Sequence, residues 1–222
     1  MRGMRTMTAL RCWRCAHEHP ATLFCPQCSA VQRLPPQIDY FSVFGLPLRP
    51  AIDEAALTQQ YYDLSRRLHP DLYQTRTAEE KDASLNNTVL LNRAYRTLRD
   101  PVSRGQYWLE LQGESLGKDN NRVPSTLAAL VFEVQEKLAE VREARETGKA
   151  ESSKAEIAAI RIDLDGQMQR LRAALAENLV QWTSEQRSPD LLPQLKRLLS
   201  EIAYLRTLSR DVERESEALW NA

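Results

Sequence analysis

The chain has 222 residues, and its 30 Lys and Arg balance 30 Asp and Glu, so the formal net charge is zero. That balance excludes a protein that coats nucleic acid or anionic membrane through bulk charge. Only 7 glycines disfavour a β-sandwich or a nucleotide-binding α/β fold, and no apolar stretch is long enough to cross a bilayer. There is no G-x-G-x-x-G, Walker or G-x-S-x-G motif. Three histidines, His17, His19 and His69, leave a His-dependent active site few candidates. The expectation is an all-α chain.

Met1 to Arg11 carries Arg2, Arg5 and Arg11 and no acid, the flavour of a transit peptide, but it is short and lacks an apolar core. Cysteine chemistry follows at once: Cys12-Trp13-Arg14-Cys15, nine residues, then Cys25-Pro26-Gln27-Cys28. Each C-x-x-C hairpin aims two thiolates at one point, and two hairpins complete a tetrahedron. So short a segment cannot bury enough apolar area to fold unaided, and a metal supplies the missing stability. Four protein ligands saturate the ion, which makes the site structural. Zinc is the first choice, and four thiolates also hold iron. Paired disulfides are the alternative, disfavoured in the reducing compartment that such cysteine usage suits. That compartment is read most simply as bacterial cytoplasm, with the mitochondrial matrix as the alternative. His17 and His19 are expected to be loop residues, since four cysteines suffice.

Leu34-Pro35-Pro36 breaks the chain. Asp53 is placed to cap a helix through Leu68, with Leu57, Tyr61, Leu64 and Leu68 on one face. A second helix is predicted from about Ala78 to Leu98, burying Leu91, Ala94, Tyr95 and Leu98. Asp100-Pro101 restarts a short helix carrying Tyr107, Trp108 and Leu111. Between the long helices, His69-Pro70-Asp71 forms a bend, because Pro70 cannot continue the helix. Asp71 is thereby exposed, able to meet a partner's Arg or Lys. Alone, the tripeptide reads better as simple punctuation between helices.

Gln112 to Ser125 looks like a linker. Three helices are then expected near 126–147, 153–186 and 190–220, forming an antiparallel bundle. Ile157, Ile160, Leu164, Leu171, Leu175, Asn178 and Trp182 recur at helical steps along the second. In the first, Leu127, Val131, Val134, Leu138 and Val141 form the core stripe, with Ala129, Phe132, Glu136, Glu140 and Glu143 opposite. In the third, Leu195, Leu199 and Ile202 form the stripe, and Tyr204 lies roughly opposite.

Asp39-Tyr40-Phe41-Ser42-Val43-Phe44-Gly45-Leu46, the His-Pro-Asp tripeptide and Leu91-Asn92-Arg93-Ala94-Tyr95-Arg96-Thr97-Leu98 together resemble the J domain of DnaJ-type co-chaperones. D-Y-F-x-x-F-G-L and L-R-D-P-x-S-R resemble more closely the HscB-type J proteins of iron–sulfur cluster biogenesis. The cysteine-bearing beginning looks like the form of that family with an extra N-terminal metal module. The resemblance implies domains at 1–37 (metal module), 38–111 (J domain) and 126–222 (scaffold-binding bundle), with 112–125 as linker. It implies no catalysis by the chain itself. His69, Pro70 and Asp71 would trigger ATP hydrolysis on a DnaK/HscA-type chaperone, with Arg66 and Arg67 supporting docking. Leu72 stands where general J domains often have lysine, which fits a dedicated partner.

The segment from Phe132 to Glu140 resembles the stretch of HscB-type proteins that grips an IscU-type iron–sulfur scaffold. Carried over by position, the contact set is Ala128, Ala129, Phe132, Glu133, Glu136, Glu140 and Tyr204, with alanines where the family usually has larger apolar residues. Neither nucleic acid nor membrane is expected as partner. Two rival classes are a metal-ribbon nucleic-acid binder using Arg2, Arg5, Arg11, Arg14 and Arg33, and a zinc hydrolase. The first sits poorly with zero net charge, and the second lacks an open metal position.

Overall fold

The computed structural model describes residues 9–116, 123–147, 150–182 and 188–220. Arg2 and Arg5, much of the expected linker, and the stretch 183–187 lie outside the described residues. The chain divides into two compact units, Met1–Arg104 and Gly105–Ala222.

The first unit begins with a ribbon of two antiparallel strands, β1 (Ala9–Arg11) and β2 (Glu18–Pro20), in which Leu10 faces His19. An isolated bridge between Phe24 and Val31 shapes the second hairpin. The sequence named no strand in this segment. Strands of three residues are too short for alternation to register in the sequence. His19 is a buried strand residue, not a loop residue, with Nδ1 2.7 Å from the Pro20 carbonyl oxygen.

Helix α1 (Tyr40–Val43) starts at Asp39, whose carboxylate accepts from the Ser42 amide at 2.9 Å. It ends at Gly45, with φ 63°, and Leu46 N donates to Phe41 O at 2.9 Å, a closure that favours glycine. Phe41 and Phe44 go to the core. Helix α2 (Glu54–Leu68) is capped by Asp53, which accepts from the amides of Ala55 and Ala56. A short 3-10 turn (Pro70–Tyr73) follows, then α3 (Ala78–Arg99), opened by a Thr77/Glu80 capping box. Helices α2 and α3 form the antiparallel hairpin read from the sequence. Leu57, Leu68, Leu91, Ala94, Tyr95 and Leu98 are buried in it, while Tyr61 and Leu64 are half-buried. The Tyr61 and Tyr95 rings stack at 4.0 Å.

Helix α4 (Pro101–Leu111) contains the division between the units and ends at Gly113, with φ 79°. In the second unit a 3-10 turn (Ser125–Leu127) leads into α5 (Ala128–Glu146), followed by α6 (Ala150–Val180) and α7 (Leu191–Trp220). Leu127, Val131, Val134, Leu138 and Val141 pack with Ile157, Ile160, Leu164, Leu205, Leu208, Val212 and Leu219 in one core. A second region of the same unit encloses Gly105, where an added Cβ would lie 3.4 Å from each of Leu175, Leu195 and Leu199. Asn178 is tolerated on the buried stripe because its Oδ1 accepts from Trp182 Nε1 at 3.2 Å and its Nδ2 lies 3.4 Å from Leu191 O.

Candidate functional sites

The cysteine cluster is built from two hairpins of the same design. Cys12 N donates to His17 O and Ala16 N to Cys12 O; thirteen residues later Cys25 N donates to Ala30 O and Ser29 N to Cys25 O, all at 2.9 Å. Each loop turns through a left-handed residue just after its second cysteine, Ala16 with φ 59° and Ser29 with φ 56°. Neither is glycine, so each carries a modest backbone cost. The four sulfurs all lie within 4.8 Å of one another. Cys12 Sγ is 3.6 Å from Cys28 Sγ, and Cys15 Sγ is 3.7 Å from Cys25 Sγ.

Thiolates on a tetrahedral ion with bonds near 2.3 Å are separated by about 3.8 Å, so this donor set fits a tetrahedral metal without rearrangement. Burial raises the Cys12 thiol, but amides of Cys15 and Arg14 and the neighbouring sulfurs outweigh it and lower it to about 6. Cys15 is lowered by the His17 amide, yet burial and the three surrounding sulfurs push it up to about 12. The amides around Cys12 favour its thiolate, while the sulfurs crowded about Cys15 disfavour a second negative charge there, a crowding that a bound cation would relieve. His17 and His19 are not part of the cluster.

At the far end of the α2–α3 hairpin, Pro70 opens the 3-10 turn and breaks the helix at Leu68. The carbonyls that α2 leaves without amide donors are taken up by side chains. Tyr73 donates its hydroxyl to Arg67 O at 3.1 Å. Ser84 Oγ, fully buried on α3, donates to Leu68 O at 2.6 Å, and Thr88 Oγ1 lies 3.3 Å from the same oxygen. Sequence reasoning passed over these three hydroxyls. The available signal was Ser84 and Thr88, one turn apart on a helix face otherwise turned to the core.

The turn so held leaves the His69 and Asp71 side chains exposed. His69 Nδ1 lies 3.4 Å from Asp71 Oδ2, with side-chain exposures of 59% and 70%. The Asp71 amide points at the same nitrogen at 3.4 Å, and Gln74 Nε2 reaches Asp71 Oδ1 at 3.2 Å. Asp71 is therefore a solvent-facing carboxylate, whose polar contacts among the described residues are with His69 and Gln74 at 3.4 and 3.2 Å. Arg66 pairs with Asp63 at 2.9 Å on its own helix, whereas the Arg67 guanidinium lies 4.0 Å above the centre of the Phe24 ring.

In the second unit, Ala128, Ala129, Phe132, Glu133, Glu136 and Glu140 are all exposed along α5. Phe132 is 69% exposed, a large apolar side chain on a helix whose other face is core. Glu133 is paired with Lys137 at 2.7 Å, a contact that raises the lysine pKa. Among the described residues, Glu136 and Glu140 have no ion-pair partner. Tyr204, placed opposite the α7 stripe by the sequence, is only partly exposed. It is half-buried and packs on the bundle core, as do Leu130, Met168 and Leu171.

Residues 39–107 match the family model described as the DnaJ domain. The chain is 38% identical over 135 residues to the Homo sapiens iron-sulfur cluster co-chaperone protein HscB, covering 59% of this chain and 57% of that protein. It is 33% identical over 129 residues to an Arabidopsis thaliana homolog of HscB, covering 58% and 51% respectively. The crystal structure of human co-chaperone protein HscB superposes with a TM-score of 0.69 at 28% identity, covering 92% of this chain and 97% of that one. Residues 39–107 are a J domain, and the chain around them is similar to HscB co-chaperones. The chain spans just over half the length of the curated relatives it matches.

The motif residues that are not exposed hold the J domain together. Asp100 caps α4 by accepting from Ser103 N at 2.9 Å and Ser103 Oγ at 2.7 Å. Arg104, buried, donates to Leu98 O at 2.6 Å and pairs with Glu54 at 3.1 Å, tying the end of α3 to the start of α2. Asn92 accepts from Tyr61 at 2.9 Å. Among the described residues no helix is long and apolar enough to cross a membrane.

Proposed function

We propose that this HscB-type chain is a co-chaperone, not an enzyme. It binds an IscU-type iron–sulfur scaffold through α5 and Tyr204, presents it to a dedicated DnaK/HscA-type chaperone, and stimulates that chaperone's ATP hydrolysis through His69, Pro70 and Asp71. The observation that carries this reading is the exposed Asp71 carboxylate, on a turn whose backbone is held by Tyr73, Ser84 and Thr88. An exposed anion a few residues beyond Arg66 and Arg67 suits a protein partner with basic and acidic groups of its own. The names of the relatives support the iron–sulfur setting.

Phe132, with acids one and two turns further along α5, supplies an aromatic anchor and a charged border for a basic, partly apolar scaffold surface. Joining two binding sites in one chain raises the scaffold's effective concentration at the chaperone. The ion in the cysteine cluster is proposed to be zinc, because four thiolates saturate it and leave no open position for chemistry. The free thiols favour a reducing compartment, bacterial cytoplasm first and mitochondrial matrix second. The test is steady-state ATPase stimulation together with scaffold binding. Wild type is expected to stimulate and bind, and absence of both activities refutes the reading.

A further inference from the structure

We propose, on the strength of the chaperone-docking reading above, that the four-cysteine module is a working part of the docking surface. The loaded module holds Arg67 in place through Phe24, which makes Phe24 a positioning residue for the chaperone. Module and hairpin, both in the first unit, meet at two points. The Phe24 ring sits 4.0 Å beneath the Arg67 guanidinium, one residue before Cys25. The Gln32 carbonyl accepts from Asn87 Nδ2 of α3 at 2.7 Å, and Gln32 Nε2 reaches Cys12 Sγ at 3.4 Å. One turn along α3 from Asn87, Ser84 fixes the Leu68 carbonyl immediately before His69.

Both anchors depend on the segment that the metal must order. Phe24 pairs with Val31 across the second hairpin, and Gln32 follows it. A module with two three-residue strands cannot keep this shape on its own apolar burial, so metal loss frees the ring from beneath Arg67 and removes the acceptor from buried Asn87. Arg67 then regains the rotamer freedom of a long exposed side chain, which docking must restrict again. Arg66 is held differently, through Asp63 on its own helix, and does not depend on the module.

The experiment measures ATPase stimulation by the full chain as a function of its concentration, with metal content determined for each sample. Wild type, Phe24→Leu, Arg67→Gln, the double variant and Asp71→Ala are compared. Loss of a partly exposed cation–π contact should raise the half-saturating concentration of Phe24→Leu about two- to fivefold, with the maximal rate and scaffold affinity unchanged. The same substitution should have no further effect in the Arg67→Gln background, and Phe24→Tyr should restore wild-type docking. Metal-stripped wild type should show at least the Phe24→Leu shift, and its Arg67 side-chain NH and Leu72 amide resonances should move on stripping. Additive effects of Phe24→Leu and Arg67→Gln, or metal-free protein that docks as tightly as loaded protein, overturn the inference. If wild type stimulates and Asp71→Ala does not, that failure belongs to this inference alone; if wild type gives no stimulation, the co-chaperone reading itself has failed.

Discussion

Phe132→Ala tests the scaffold-binding face with the clearest arithmetic. Phe132 is 69% exposed in the free chain. A phenylalanine side chain offers roughly 200 Å², so a partner that covers it removes about 140 Å² from water, worth about 3.5 kcal/mol at roughly 25 cal/mol per Å². Imperfect complementarity lowers this to about 2–3 kcal/mol, or about 30- to 150-fold in Kd. Because the ring contributes little to the free protein's core, the unfolding free energy should change by under about 0.5 kcal/mol. The assay is calorimetric titration of the full chain with an IscU-type scaffold, beside urea denaturation of each protein. Stimulation of the chaperone in the absence of scaffold should be unaltered. An unchanged Kd would refute the assignment of this face, and a large loss of stability would show that the ring is structural.

Three further outcomes follow from the same geometry. Ser84→Ala leaves the Leu68 carbonyl with only the longer Thr88 contact and should lower the unfolding free energy by about 1–2 kcal/mol; urea denaturation showing no loss contradicts this. Arg104→Met should cost about 2–3 kcal/mol, because the Leu98 carbonyl loses its donor and Glu54 its partner; the same denaturation assay checks it. Metal affinity should rise with pH, since the Cys15 thiol, pushed up to about 12, must surrender its proton on binding, and below about 6 Cys12 must do so as well. Competition with a chelator between about pH 6 and 8 should show at least one proton released per ion. A pH-independent affinity is the contrary result.

What the sequence revealed was whatever depends on short spacing. The two C-x-x-C pairs lie where their interval places them, with sulfurs close enough for one ion. The stripes Leu57 to Leu68, Leu91 to Leu98 and Leu127 to Val141 are core or half-core because helical period alone decides which side of an amphipathic helix is dry. Contacts between segments far apart were not legible. Asn87 meets Gln32 across 55 residues, and Phe24, on the second cysteine hairpin, reaches Arg67 of α2. Tyr204 fell short of full exposure because α7 packs on more than one neighbour, so its buried arc is wider than a single stripe. The second bundle helix begins at Ala150, before the expected 153, and its described part ends at Val180. Helix ends are set by capping more than by periodicity, which explains the drift.

The most direct test of the central claim is the steady-state ATPase rate of a DnaK/HscA-type chaperone with wild type or Asp71→Ala, each checked for scaffold binding in the same preparation. The account predicts that the substitution abolishes stimulation while scaffold affinity and unfolding free energy stay at wild-type values, because the Asp71 side chain is 70% exposed. Equal stimulation by both proteins would contradict it.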